Sequence, residues 1–426
     1  MLFTLMVIIF IIGYACIALE HPLKINKSAT ALLLGIVLWI LGIQYLPETQ
    51  NDLVHYLGEV AEILFFLMGA MTIVELIDVH DGFRVITDKI QTTKKSTLLW
   101  IISLITFFMS AVLDNLTTSI VMVALLRKII GEKSDRWIFA GIVILAANAG
   151  GAWSPIGDVT TIMLWLGEKY DALHIILSTF IPSAVSLLIP VGIFSLTLKG
   201  NVTRPEMLEQ NTHRYEITKC ERNWIFFLGV GALLFVPIFK MITHLPPYLG
   251  ILGGLALLWI VTGFMHKRRP ESDSGFLSVN NMLSRIDLSS ILFFLGILMA
   301  VNALQACGHL GMLSASLDKI SLGEPNKYYL IVAVIGFVSS VIDNVPLVAA
   351  AMGMYDFPIN HYFWEFLAYA AGTGGSILII GSAAGVAVMG MEKIDFIWYL
   401  KKISGLAVLG YFAGLGAYIL QQYLIQ

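Results

Sequence analysis

Three carboxylates in this sequence stand where carboxylates are costly. Asp114, Asp158 and Asp343 each fall near the centre of a long apolar stretch. An ionisable group deep in a bilayer costs at least about 2.5 kcal/mol, so it persists by pairing, by facing water or by function. All 26 Lys and Arg residues fall in loops or at helix ends. The counter-charge is then expected from solution, as a proton or a metal cation. Two of the carboxylates share a local pattern. Asp114-Asn115-Leu116-Thr117-Thr118 and Asp343-Asn344-Val345-Pro346 each follow one apolar arm and open the next. Asp and Asn are favoured helix N-caps and Pro346 suits a first helical turn, so capping alone would explain one such pair. Recurrence at membrane depth points to ligation as well, because a cap also fixes the carboxylate in place.

The third carboxylate belongs to a longer constellation, from Asn148 through Gly150, Gly151, Pro155 and Gly157 to Asp158, Thr160 and Thr161. The glycines and proline break a helix at its middle. Unwound backbone is tolerated there only when buried in protein or lining a wet cavity. Freed carbonyls, the Asn148 amide, Asp158 and two hydroxyls are hard oxygen ligands, which suit Na⁺ or Li⁺ by the logic that governs Ca²⁺ and Mg²⁺. Glycines used for close helix packing are the plainer alternative. The counterpart Gly372-Thr373-Gly374-Gly375-Ser376, with Gly381-Ser382, has hydroxyls but no carboxylate. One asymmetric site is therefore expected. Its candidate cation and proton ligands are Asp114, Asn115, Thr117, Thr118, Asn148, Asp158, Thr161, Asp343, Asn344, Ser376 and Ser382, with the charge of Na⁺ or Li⁺ met at the three Asp. No resident cofactor is expected. Glu59, Glu62, Glu75 and Asp78 read as interface residues at the ends of one helix. His55, His80, His174 and His361 are candidates for pH sensing, but they fall at span ends, where solvated structural roles are commoner.

The elements that must hold these residues are membrane helices. Of 426 residues, 58% are hydrophobic and 13% charged, against roughly 45–50% and 25% in soluble proteins. Mean hydropathy is +0.82. Too few polar residues exist to coat soluble domains of this length. A net charge of −3 shows no basic excess, which argues against a nucleic-acid partner. Cys16, Cys220 and Cys307 are far apart and suggest neither a disulfide framework nor a zinc site. About 20 apolar residues cross a bilayer, and clear spans are 2–19, 29–46, 58–79, 172–198, 223–241, 247–265, 287–306 and 395–422. The first run has no preceding Lys or Arg, so it reads as a spanning helix and not a signal peptide. Residues 97–131 and 328–356 read as hairpins of two short arms, and 137–167 and 362–391 as broken helices. With the N- and C-termini outside, every Lys and Arg except Lys169, Lys240, Lys319 and Lys327 lies on the inner side, as the positive-inside rule requires.

The chain also repeats itself. Ile63–Leu67 returns as Ile291–Leu295 at an offset of 228, Ser110–Asn115 as Ser339–Asn344 at 229, and Gly150, Gly151 and Gly157 as Gly374, Gly375 and Gly381 at 224. Each half, 1–199 and 223–426 around a cytoplasmic linker 200–222, holds three helices, a hairpin, a broken helix and a final helix. Each crosses an odd number of times, so the second half is expected to be inverted. The fold class is then an all-α polytopic membrane protein of two inverted-topology repeats, the plan of secondary transporters with discontinuous helices meeting at the midplane.

Asp114–Thr118, Asn148–Thr161, Asp343–Pro346 and the early run Glu20-His21-Pro22-Leu23-Lys24-Ile25-Asn26-Lys27 resemble the NhaD-type sodium/proton antiporters of the ion transporter superfamily. The resemblance covers essentially the whole chain. It implies exchange of cytoplasmic Na⁺ or Li⁺ for external protons, a bacterial inner membrane and a homodimer. It also places the substrate site at the hairpin tips and broken helices, at Asp114, Asn115, Thr117, Asp158, Asp343 and Asn344. Fold does not fix substrate. An anion carrier for arsenite or carboxylates would share the architecture, but favours Ser, Thr, Asn and helix N-termini over three unpaired Asp. An intramembrane aspartyl protease also needs paired aspartates; Ile156–Val159 is faintly similar to such a motif, with Pro155 at the expected glycine. No P-loop is present, which disfavours an ATP-driven pump.

Overall fold

Inside a bilayer no water satisfies backbone N–H and C=O groups, so apolar runs must close their hydrogen bonds internally as helices. In the computed structural model, which describes residues 2–18, 20–87, 90–204, 217–267 and 275–425, they do so. Among the described residues no strand forms; one isolated bridge joins Lys94 and Asn201. The first half runs through α1 (Leu2–Ala18), α2 (Lys27–Tyr45), α3 (Asp52–Val79), α4 (Lys95–Leu113), α5 (Asn115–Ile129), α6 (Lys133–Gly151), α7 (Val159–Leu166) and α8 (Ala172–Thr197). The second runs through α9 (Lys219–Thr243), α10 (Pro247–His266), α11 (Leu288–Ala306), α12 (His309–Leu317), α13 (Asn326–Val338), α14 (Asn344–Met354), α15 (Tyr362–Gly374) and α16 (Ala383–Glu392). A turn at Phe396–Tyr399 and a π-helical turn at Leu400–Ser404 then lead into α17 (Gly405–Ile425). Eight helices among the described residues are long and apolar enough to cross a membrane. Their outward faces carry large apolar side chains such as Leu33, Ile36, Trp224, Phe227 and Phe264, each more than half exposed. A surface this apolar suits lipid and not water.

Two expectations need correction. The first arm of the 97–131 hairpin is not short: α4 is one of the helices long enough to cross. The extra helix α12 was not foreseen. Most of the linker, residues 205–216, lies outside the described residues, as do Lys89, Arg268 and Arg269.

The repeat seen in sequence is repeated in packing. Ser110 Oγ donates to the Ala147 carbonyl at 2.6 Å, and Ser339 Oγ to the Ala371 carbonyl at 3.0 Å. Each bond ties a hairpin arm to the first part of a broken helix. The donors are 229 apart and the acceptors 224, matching the sequence offsets. The glycines permit the approach. A Cβ on Gly150 would stand 2.2 Å from the Phe107 carbonyl oxygen, and one on Gly374 1.9 Å from that of Gly336. Close packing and helix breaking are thus both served by the same residues.

Candidate ion-binding site

Asp158 is the N-cap of α7, with extended backbone (φ −148°, ψ 149°). The break from Ala152 to Gly157 delivers it there, and a capping box with Thr161 holds it. It is 1% exposed. One carboxylate oxygen accepts from the Thr160 N–H at 2.9 Å and the Thr160 hydroxyl at 2.8 Å. The other accepts from the Asn115 amide at 2.5 Å. The Asn344 amide lies 3.3 and 3.4 Å from the two oxygens. Asn115 and Asn344 follow the tip aspartates of the two hairpins, so both tips converge on one carboxylate. These partners are neutral donors, and none is a basic side chain.

The network continues into the second broken helix. Asn115 also donates to Asn148 Oδ1 at 3.0 Å, and Asn148 donates to Ser382 Oγ at 3.1 Å. Ser382 is the N-cap of α16, the position equivalent to Asp158 by the 224-residue offset. A hydroxyl in one half faces the place of a carboxylate in the other, which is the chemical inequality read from sequence.

Asp114 forms the hairpin tip at φ 74°, ψ 160°, a backbone region that costs about 1–3 kcal/mol outside glycine. Its carboxylate accepts from the Thr117 N–H at 2.8 Å and the Thr117 hydroxyl at 2.7 Å. Thr118 Oγ1, one residue on, is buried without a hydrogen-bond partner. Asp343 caps α14 through the Val345 N–H at 3.1 Å and lines a cavity of about 70 Å³ with Tyr14, Glu20, Lys27 and Ser382. Both tip carboxylates are close enough for their charge to act on Asp158 or be acted on by it. Lys27 lines the same cavity as Asp343 and brings a charge of opposite sign to it. The expectation of three carboxylates without any nearby cation therefore needs correction at Asp343. Lys27 opens α2, distant in sequence, and only the fold brings it there.

The remaining candidates divide. Thr161 acts on backbone, exchanging hydrogen bonds with the Asp158 N–H and carbonyl. Ser376 is not part of the cluster: its hydroxyl bonds to the Thr373 carbonyl at 2.6 Å, and it lines a separate small cavity with Ser186 and Tyr411. A larger cavity of about 500 Å³ lies between α3, α7, α11 and α14. Met163 and Leu166 on α7, Ala349 and Met352 on α14, and the charged residues Glu59, Glu62, Glu168 and Lys240 are among its walls. Glu75 lies 3.8 Å from Arg285. Sequence reasoning missed several buried acids near helix ends, Glu392 and Glu365 among them. Glu392 accepts from Arg127 Nε at 2.6 Å and Arg136 Nε at 2.7 Å. Glu365 meets His174 and the Tyr418 hydroxyl. Both were legible only as acids near span ends.

Apolar helices broken around a buried carboxylate are the architecture of a membrane transporter. Comparison with known proteins agrees. The citrate-transporter family matches residues 6–374. The chain is 50% identical over 420 residues to sodium/proton antiporter 1 of Arabidopsis thaliana, covering 97% of this chain and 72% of that one. It is 46% identical to sodium/proton antiporter 2 of the same plant, covering 97% and 98%. Against the Na⁺/H⁺ antiporter NhaD of Vibrio cholerae it is 32% identical, covering 97% and 90%. The chain belongs to the NhaD-type sodium/proton antiporter family, within the wider citrate-transporter family.

Proposed function

We propose that this protein exchanges Na⁺, or Li⁺, for protons by alternating access to the Asp158 centre. The observation that carries the reading is a buried carboxylate gripped by asparagines from both hairpin tips, with no basic side chain among its partners. An unneutralised carboxylate at that depth takes up either a proton or a cation. A site that holds one or the other, and not both, couples their movement. The two halves, 1–199 and 223–426, are inverted repeats, with the chain ends and the larger cavity on the outer side. The smaller cavity at Asp343 and Ser382 opens toward the inner side. Rocking of one half against the other would expose Asp158 to each cavity in turn. The names of the relatives support Na⁺ and H⁺ as the pair. Li⁺ as an alternative cargo, a bacterial inner membrane and a homodimer complete the proposal.

The test uses purified protein in vesicles with an imposed pH gradient. Na⁺ and Li⁺ are expected to collapse the gradient, K⁺ to do little, and arsenite and citrate to do nothing. A response to citrate or arsenite alone would establish the anion-carrier reading instead.

A further inference from the structure

A second cluster lies apart from the ion path, where the end of α3 meets the start of α9 and the end of α10. His80, His266 and Glu221 are all buried, at 0%, 4% and 7% exposure. One ligand atom from each lies within 4.8 Å of the other two. His266 Nε2 is the hub, 3.3 Å from His80 Nε2 and 2.8 Å from Glu221 Oε1. We propose that this cluster binds a divalent transition-metal ion of the zinc class.

Geometry and donor chemistry both point that way. A tetrahedral ion with metal–nitrogen distances of about 2.0–2.1 Å sets its donor atoms about 3.3–3.4 Å apart; the two Nε2 atoms have that spacing, whereas Glu221 Oε1, at 2.8 Å from His266 Nε2, must move outward as the ion replaces the shared proton. His80 Nδ1 lies 2.7 Å from the Leu76 carbonyl. A carbonyl only accepts, so that nitrogen carries the proton and Nε2 carries the lone pair. Metal-binding histidines are commonly fixed by such a bond from the far nitrogen. The rings are nearly parallel, 5° apart, so binding requires each to tilt until the lone pairs converge. Binding also displaces a proton from the His266–Glu221 contact, since the ion needs a neutral imidazole and an ionised carboxylate. Two imidazoles disfavour Mg²⁺ and Ca²⁺, which prefer oxygen. His80 comes from the first half of the chain, Glu221 from the end of the linker where α9 begins, and His266 from the second half, so the ion would clamp the halves together at one end.

The experiment titrates purified protein, carrying a histidine-free affinity tag, with Zn²⁺ by calorimetry and with Co²⁺ by visible absorption. One equivalent of Zn²⁺ per chain is expected, with the intense d–d bands of tetrahedral Co²⁺ and no uptake of Mg²⁺ or Ca²⁺. His266→Gln should lower Zn²⁺ affinity by more than the ~10–100-fold that loss of an outer partner costs. Glu221→Gln should weaken it and alter the Co²⁺ spectrum while the protein stays monodisperse. Wild-type protein that takes up no Zn²⁺, or variants that bind it as wild type does, would overturn the proposal. Should His266→Gln fail to fold, the wild-type Co²⁺ spectrum and Glu221→Gln decide. Vesicle exchange is measured in parallel, so that metal binding and transport fail or succeed separately.

Discussion

Replacing Asp158 by Asn changes little in shape and removes the charge. Its carboxylate is an acceptor on every side, facing the Asn115 amide, the Asn344 amide, and the Thr160 N–H and hydroxyl. An Asn side chain keeps one acceptor oxygen and turns the other into a donor. Whichever way it is oriented, one donor faces another. A buried donor left unpaired costs about 1–3 kcal/mol, and this is the expected loss of stability. The effect on the ion is larger. A unit charge pair about 4 Å apart at an effective dielectric of about 20 is worth about 4 kcal/mol. At 1.4 kcal/mol per decade that is about a thousandfold in Na⁺ affinity. The assay is Na⁺-driven collapse of a pH gradient in vesicles, with protein amount and detergent-solution melting measured alongside. The expected result is inserted, modestly destabilised protein with no exchange at millimolar Na⁺. Exchange with half-maximal Na⁺ within tenfold of wild type would refute Asp158 as the binding carboxylate.

Asn caps helices about as well as Asp, so Asp343→Asn should insert and melt almost as wild type yet lose exchange; Glu59→Gln, on an exposed residue that meets His55, should transport near normally. Gly374→Ala forces a Cβ to within 1.9 Å of the Gly336 oxygen, so it should destabilise by at least about 1–3 kcal/mol; Gly390→Ala, with nothing within 4 Å, should not, and equal melting temperatures would contradict the close packing. Glu392→Gln leaves Arg136 beside a neutral amide. Because Arg127 is half exposed, the loss should sit at the low end of the roughly 3–5 kcal/mol for a broken buried pair, read as a lowered melting temperature.

Breaks and tips were legible because they are written in local chemistry. The stretch after Gly151, with Pro155 and Gly157, does not continue the helix, and Asp114 and Asp343 cap the second arms of their hairpins. The matched runs Ser110–Asn115 and Ser339–Asn344 each place a serine that bonds to the helix ahead of a break, Ser110 to Ala147 and Ser339 to Ala371. What sequence could not give is which distant residues meet. Nothing local says that Lys27 reaches the Asp343 cavity, that Arg127 and Arg136 close on Glu392, or that His80, Glu221 and His266 share one point. The partner of Ser376 was hidden for the same reason. Its position in the unwound stretch is local, but its hydroxyl turns back to the Thr373 carbonyl. The length of α4 was hidden because Lys94 and Lys95 looked like a loop, whereas Lys94 is the N-cap and Lys95 pairs with Asp135 at 2.7 Å.

The central claim is that Na⁺ and a proton compete for one carboxylate. A proton on Asp158 removes the charge that holds Na⁺, so lowering the pH must weaken apparent Na⁺ affinity. For one proton displaced per Na⁺, half-maximal Na⁺ should rise about tenfold per pH unit below the pKa of the site and level off above it. The measurement is half-maximal Na⁺ for exchange in vesicles, at intervals across roughly pH 6 to 9.5, a window wide enough to span carboxylates shifted by a few units. A slope that flattens at high pH is the predicted result. Affinity that stays flat across the whole window, with only the maximal rate changing, would contradict direct competition at Asp158.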